Sequence, residues 1–90
     1  MTNKELFSLA VQNLKEFTTL KKPDFRLEQI EFIEKENVWE IIVSFLVENT
    51  NKRLGTSVGL ITSFEFSRKY KKVRINNNKV VLGIYIYNYK

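Results

Sequence analysis

The hydropathy period of this chain changes once, at its only proline. Before Pro23, apolar residues recur at Leu6, Phe7, Ala10, Val11, Leu14, Phe17 and Leu20. That is the spacing of one helical face, and Lys4, Gln12, Asn13, Lys15 and Glu16 supply a wet side. Thr2-Asn3-Lys4-Glu5 fits a capping box, in which the threonine and the glutamate each satisfy a backbone N–H of the first turn. Lys21 and Lys22 suit the negative end of the helix dipole, and Pro23 stops the run. The pattern predicts a helix over residues 3–21.

After Pro23 the period is two. Phe25 and Leu27 share one parity, and Ile30 and Phe32 the other, which predicts a bulge near Glu28 or Gln29. Residues 34–37 read as a turn. Trp39, Ile41, Val43, Phe45 and Val47 then alternate strictly, the clearest strand of the chain. Residues 49–52 read as loop. Val58, Leu60 and Thr62 also alternate, so residues 54–62 either begin a long third strand or form a short separate one. A strand follows over 64–75. The run Asn76-Asn77-Asn78-Lys79 is a hairpin turn, since asparagine tolerates positive φ. A last strand runs over 80–89.

One helix and about four antiparallel strands give a two-layer α+β domain, with the N-terminal helix packed on a curled four-stranded antiparallel sheet. With 90 residues and 10.7 kDa, the chain is expected to be a single domain over 1–90. A helix with one apolar stripe shelters one sheet face. That face is assigned to Trp39, Ile41, Val43, Phe45, Leu82, Ile84 and Ile86, with Trp39 packing on Phe17 or Leu14. The other face carries Ile42, Leu46, Tyr70, Tyr85 and Tyr87, with Arg68, Lys72 and Arg74 close by.

Composition removes much chemistry. There is no cysteine and no histidine, so disulfides, thiolate nucleophiles and histidine-based triads are out. Three glycines are too few for a phosphate-cradling loop. Glu28, Glu31, Glu34, Glu36 and Glu40 crowd thirteen residues, but a paired-acid hydrolase needs two of them converging in a cleft. A solvated acidic strand face turned toward the basic half is the better account, and no metal, cofactor or enzymatic activity is expected. No apolar run reaches the roughly 18 residues of a membrane span. The first residues lack the pattern of a secretory signal, so a soluble, cytoplasmic protein with no membrane partner is expected.

Charge is unevenly placed. Residues 1–50 carry a net −3 and residues 51–90 a net +8, within a total of +5. The excess lies mostly in Arg68, Lys69, Lys71, Lys72 and Arg74. Such a run can hold phosphates. It can also keep a sheet edge from aggregating, or neutralise the acidic half.

The segments Leu27-Glu28-Gln29-Ile30-Glu31, Val38 to Phe45, Arg68 to Asn76 and Val81 to Ile86 resemble a group of small uncharacterised bacterial proteins. These share an N-terminal helix, a W-x-V-x-x-S-F strand, a Y-K-x-F/V-x-V strand and a final strand. The layout also resembles half of a PepSY domain or a cystatin-like roll. The resemblance covers about residues 4–88 and implies a fold, with no catalytic residue attached. Here the hairpin lacks the group's glycine, and Leu46 replaces its usual proline.

Two functional expectations follow. The first is a non-enzymatic protein-interaction module, immunity-like or inhibitor-like, that binds a protein partner or a second copy of itself through Tyr70, Tyr85, Tyr87, Ile42 and Leu46. The second is nucleic-acid binding, with the tyrosines stacking on bases and Arg68, Lys69, Lys71, Lys72 and Arg74 on phosphates.

Overall fold

The computed structural model describes residues 1–48 and 66–88. The expected loop at 49–52, the stretch 54–62, the beginning of the strand at 64–65 and its counterpart Tyr89 lie outside them. The elements are α1 (Asn3–Leu14), a 3-10 turn (Lys15–Phe17), β1 (Arg26–Ile33), β2 (Val38–Glu48), β3 (Phe66–Asn76) and β4 (Val81–Ile86). The four strands form an antiparallel sheet in the order β1-β2-β3-β4. The expected α+β architecture, one N-terminal helix on a four-stranded antiparallel sheet, is what the chain adopts.

The capping box forms as read. The Glu5 backbone N–H donates to Thr2 Oγ1 at 3.1 Å, and the Thr2 N–H donates to Glu5 Oε1 at 3.0 Å. The helix ends earlier than its apolar spacing predicts, at Leu14 instead of residue 21. After the 3-10 turn, Thr18 is extended at φ −140° and its hydroxyl donates to the Leu46 carbonyl at 2.8 Å. The Pro23 carbonyl accepts from the Leu46 N–H at 2.7 Å. Thr18 and Pro23 thus both serve the backbone of β2 at Leu46, which draws the segment between them out of the helix.

The helix runs in the direction of β2. At its start Lys79 Nζ lies 3.1 Å from Glu5 Oε2, beside the β3–β4 turn. Past its end Thr18 is tied to Leu46. Twelve helical residues span about 18 Å, whereas the 11 residues of β2 span about 37 Å. The helix therefore covers only the first part of the sheet. Leu6, Ala10 and Leu14 close on Ile41, Val43, Phe45, Val73 and Ile75 to make the core. Trp39, Ile84 and Val81 pack at its margin. Trp39 packs at a tilt against Phe32 (centroids 4.7 Å apart, planes at 49°) and its Nε1–H donates to Asn77 Oδ1 at 3.3 Å. Phe17, one partner expected for it, sits under Lys71 instead, whose Nζ is 5.5 Å from the ring centroid.

Two irregularities set which side chains face inward. The β1–β2 register shifts between Leu27 and Gln29, where the sequence places its bulge. A second shift, between Arg74 and Ile75, corrects the expected inner face of β4. Ile75 pairs with Val81 and Arg74 with Gly83, so Leu82 is the extra residue and stands half exposed. Ile84 keeps its inward place opposite Val73. Ile86 has the inward parity, opposite Lys71, but lies past the helix and is 78% exposed.

The β3–β4 turn works through a side chain. Asn76 Oδ1 accepts from the backbone N–H of Asn78 (2.9 Å) and of Val80 (3.0 Å). The left-handed conformation falls on Lys79 (φ 64°), not on an asparagine.

Candidate interaction face

Alternation on β2 sends Val38, Glu40, Ile42, Ser44, Leu46 and Glu48 to the side opposite the helix. Their partners on β3 are Asn76, Arg74, Lys72, Tyr70, Arg68 and Phe66. On β4, Gly83 lies opposite Arg74 and Tyr85 opposite Lys72. The Tyr87 N–H donates to the Tyr70 carbonyl at 3.2 Å. The expected partner-binding residues Tyr70, Tyr85, Tyr87, Ile42 and Leu46 therefore share one face, but not one degree of access. Ile42 is 3% exposed, although among the described residues no helix lies over it. Lysine stems can cover apolar surface, and Lys72, its register neighbour, is half-buried. The Lys72 ammonium lies 3.6 Å from Glu40 and 5.8 Å from the Tyr87 ring. Tyr70, Tyr87 and Leu46 are half-buried, and Tyr85 is 47% exposed.

Tyr85 owes its pose to Gly83. A Cβ at Gly83 would fall 2.6 Å from the Tyr85 hydroxyl and 2.8 Å from Cζ. The ring thus lies along its own strand, over the glycine, where any side chain at 83 would displace it.

The cations of the face are engaged. Arg68 donates to Asp24 Oδ2 at 2.5 Å, to the Asp24 carbonyl at 3.1 Å and to Ser44 Oγ at 2.9 Å. The fully buried Ser44 hydroxyl in turn donates to Glu28 Oε2 at 2.6 Å. This clamp joins β1, β2, β3 and Asp24, two residues before β1. Asp24 also pairs with Arg26, at 2.7 Å. The hydrogen bond from Arg26, helped by Arg68, holds the Asp24 carboxyl below its ordinary value.

Arg74 bonds Glu36 in the β1–β2 turn. Its Nε is 3.3 Å from Glu40 Oε2, within ion-pair reach but without hydrogen-bond geometry. Glu36 above all raises its pKa, with Tyr85 and Glu40 adding to the effect against desolvation. Glu40 sits directly opposite Glu31, a like-charge pair, and the cations on its other side offset that repulsion.

The five basic residues proposed for phosphates do not form one surface. Arg68, Lys72 and Arg74 lie on the open face with acidic partners. Lys69 and Lys71 have the opposite parity, across from Phe45 and Val43. They line a groove of about 630 Å³ past the end of the helix, with Phe17, Val47 and Ile86.

Among the described residues no group of three His, Cys, Asp or Glu is placed to hold a metal, and no helix is long and apolar enough to cross a membrane. Three residues of the face were not legible in advance: Asp24, Ser44 and Gly83. Ser44, the one polar residue in the run from Ile41 to Val47, was the visible signal. Asp24 gave none, because its role depends on a positive φ of 53° and on a strand 44 residues away.

Compared with known proteins, the chain matches no family model, no curated protein and no solved structure.

Proposed function

We propose that this chain is a non-enzymatic protein-interaction module whose contact surface is the β4 side of the open sheet face. Tyr85 is its centre, with Tyr87, Tyr70 and Leu46 around it and Ile42 as the floor beneath. The observation that carries the reading is the state of the charges. Arg68, Lys72 and Arg74 already hold acids of the same chain, so the ring of Tyr85 is the larger unspent surface. Tyrosine gives rigid contact area at low entropic cost. The layout, like half of a PepSY domain or a cystatin-like roll, and a cytoplasmic setting belong to the same reading.

Nucleic-acid binding is the second reading, and Lys69 and Lys71 beside Phe17 favour it. Phosphates on the open face would have to displace carboxylates that are already paired.

The test compares the wild type with a Tyr85→Ala/Tyr87→Ala variant, as bait for partners and in titration with a labelled oligonucleotide. The variant is expected to keep its fold by circular dichroism and lose its partner. A loss of about 3–5 kcal/mol in stability would make the tyrosines core residues and end the proposal. Oligonucleotide binding whose logarithm falls with log salt by about 0.7–0.9 per phosphate would favour the second reading.

A further inference from the structure

The sheet has two edges, and they differ in chemistry. Strand edges offer unpaired N–H and C=O groups, and proteins blunt them with charges and bulges. β1 carries Arg26, Glu28 and Glu31 and is bulged between Leu27 and Gln29. β4 reads Val-Leu-Gly-Ile-Tyr-Ile, and no charge stands between Lys79 and Lys90. Its bulge lies at its first residues, leaving Gly83 to Ile86 regular. Among the described residues nothing pairs with its outer side.

The hydrogen-bond phase of that side can be read off. Tyr87 donates to Tyr70 on β3, so by alternation Tyr85 also directs its backbone groups to β3. Ile84 and Ile86 direct theirs outward.

We propose that β4 pairs antiparallel with β4 of a second copy of this chain, about a two-fold axis through Tyr85, joining two four-stranded sheets into one. In that register Ile84 and Ile86 exchange backbone hydrogen bonds with Ile86 and Ile84 of the second copy. Tyr85 faces its own counterpart across a non-hydrogen-bonded pair. On the helix side the isoleucines meet, which covers the 78% exposed Ile86.

Charge selects the occupant. The protein carries +5 overall, and β1, β2 and β3 each bear charged side chains. Among the described strands, β4 is the one that can lie beside its own copy with no like charges apposed. Leu82, Tyr85 and Ile86 are about half exposed or more. With the strand edge they bury on the order of 500 Å² per copy, about 1,000 Å² in all, at the lower limit of specific interfaces. A micromolar dimer is therefore expected. The proposal rests on the edge of the sheet, so it stands whether or not the tyrosine face has a partner.

Sedimentation equilibrium and disulfide trapping test it together. The wild type is expected to rise from 10.7 kDa toward twice that mass between about 1 and about 500 μM, the range set by an interface of this size. Ile86→Lys, which leaves the open face untouched, is expected to stay monomeric with an unchanged circular dichroism spectrum. Because the chain has no cysteine, a single Tyr85→Cys is a clean probe. Counterparts on a non-hydrogen-bonded pair lie about 4.5 Å apart at Cα, within disulfide reach. Under mild oxidation this variant is expected to crosslink at least about tenfold faster than Ile86→Cys, which is out of register with its own copy. A wild type that stays at monomer mass overturns the proposal. So does a dimer indifferent to Ile86→Lys, or an Ile86→Cys variant that crosslinks as fast as Tyr85→Cys.

Discussion

Replacing Ser44 by alanine tests the clamp that ties three strands together. The hydroxyl is fully buried, donates to Glu28 at 2.6 Å and accepts from Arg68 at 2.9 Å. Hydrogen bonds to charged groups contribute about 1.5–3 kcal/mol each. Glu28 is exposed and can turn to water, so its side of the loss is small. Arg68 keeps Asp24 but is only 18% exposed and loses an acceptor it cannot replace. The expected cost is about 2 kcal/mol, from the Arg68 side. For a domain of this length that lowers Tm by about 8–16 °C. Urea and thermal unfolding, followed by circular dichroism and Trp39 fluorescence, measure it. The decisive quantity is the coupling with Arg68→Met. If the clamp acts as a unit, the double variant loses about 1 kcal/mol less than the two single losses added together. Additivity within about 0.5 kcal/mol would refute the clamp, because residues in one network do not behave as distant sites.

Gly83→Ala is expected to destabilise by about 1 kcal/mol, the low end for overpacking, since the obstructing atoms belong to a side chain that can turn away. The same substitution made with Tyr85→Ala should cost less, and equal costs in both backgrounds would mean that the ring does not lie over the glycine. Acid also weakens the fold in a defined way. The Thr2 backbone N–H, with Lys79, lowers the pKa of Glu5, and Arg26, with Arg68, lowers that of Asp24. A depressed carboxyl contributes fully above its unfolded value, ordinarily 4.5 for Glu5 and 3.8 for Asp24, and loses that contribution as pH falls through its lower folded value. Tm is therefore expected to hold to about pH 5 and to decline below about pH 4. The decline should be shallower in Glu5→Gln and Asp24→Asn, and an unchanged slope in both would show that the two contacts do not form.

Local signals made much of this fold legible. The capping box fixes the helix start because its donors and acceptors lie within four residues. The parity slip after Leu27 marks the first bulge because both halves of β1 stay apolar on one face. The helix end was not legible, since Thr18 leaves the helix for a carbonyl 28 residues away. Nor was the second bulge. Val80, Leu82, Ile84 and Ile86 alternate without a break, and the register is decided by the Asn76 turn, which sets Val81 opposite Ile75. The face of the tyrosines follows from alternation. The burial of Ile42 and the pairing of Arg68, Lys72 and Arg74 do not, because each depends on which side chains meet across three strands.

In this sheet, order in space repeats order along the chain. No ribbon has to be threaded between two that are already laid down. Each can be added to the rim left by the one before, in step with synthesis from the N-terminus. Accretion of that kind has no built-in last step: the rim presented by the final ribbon offers the next comer the same invitation that it accepted itself. Among the described strands, what bounds the layer is chemistry at its rims, not topology.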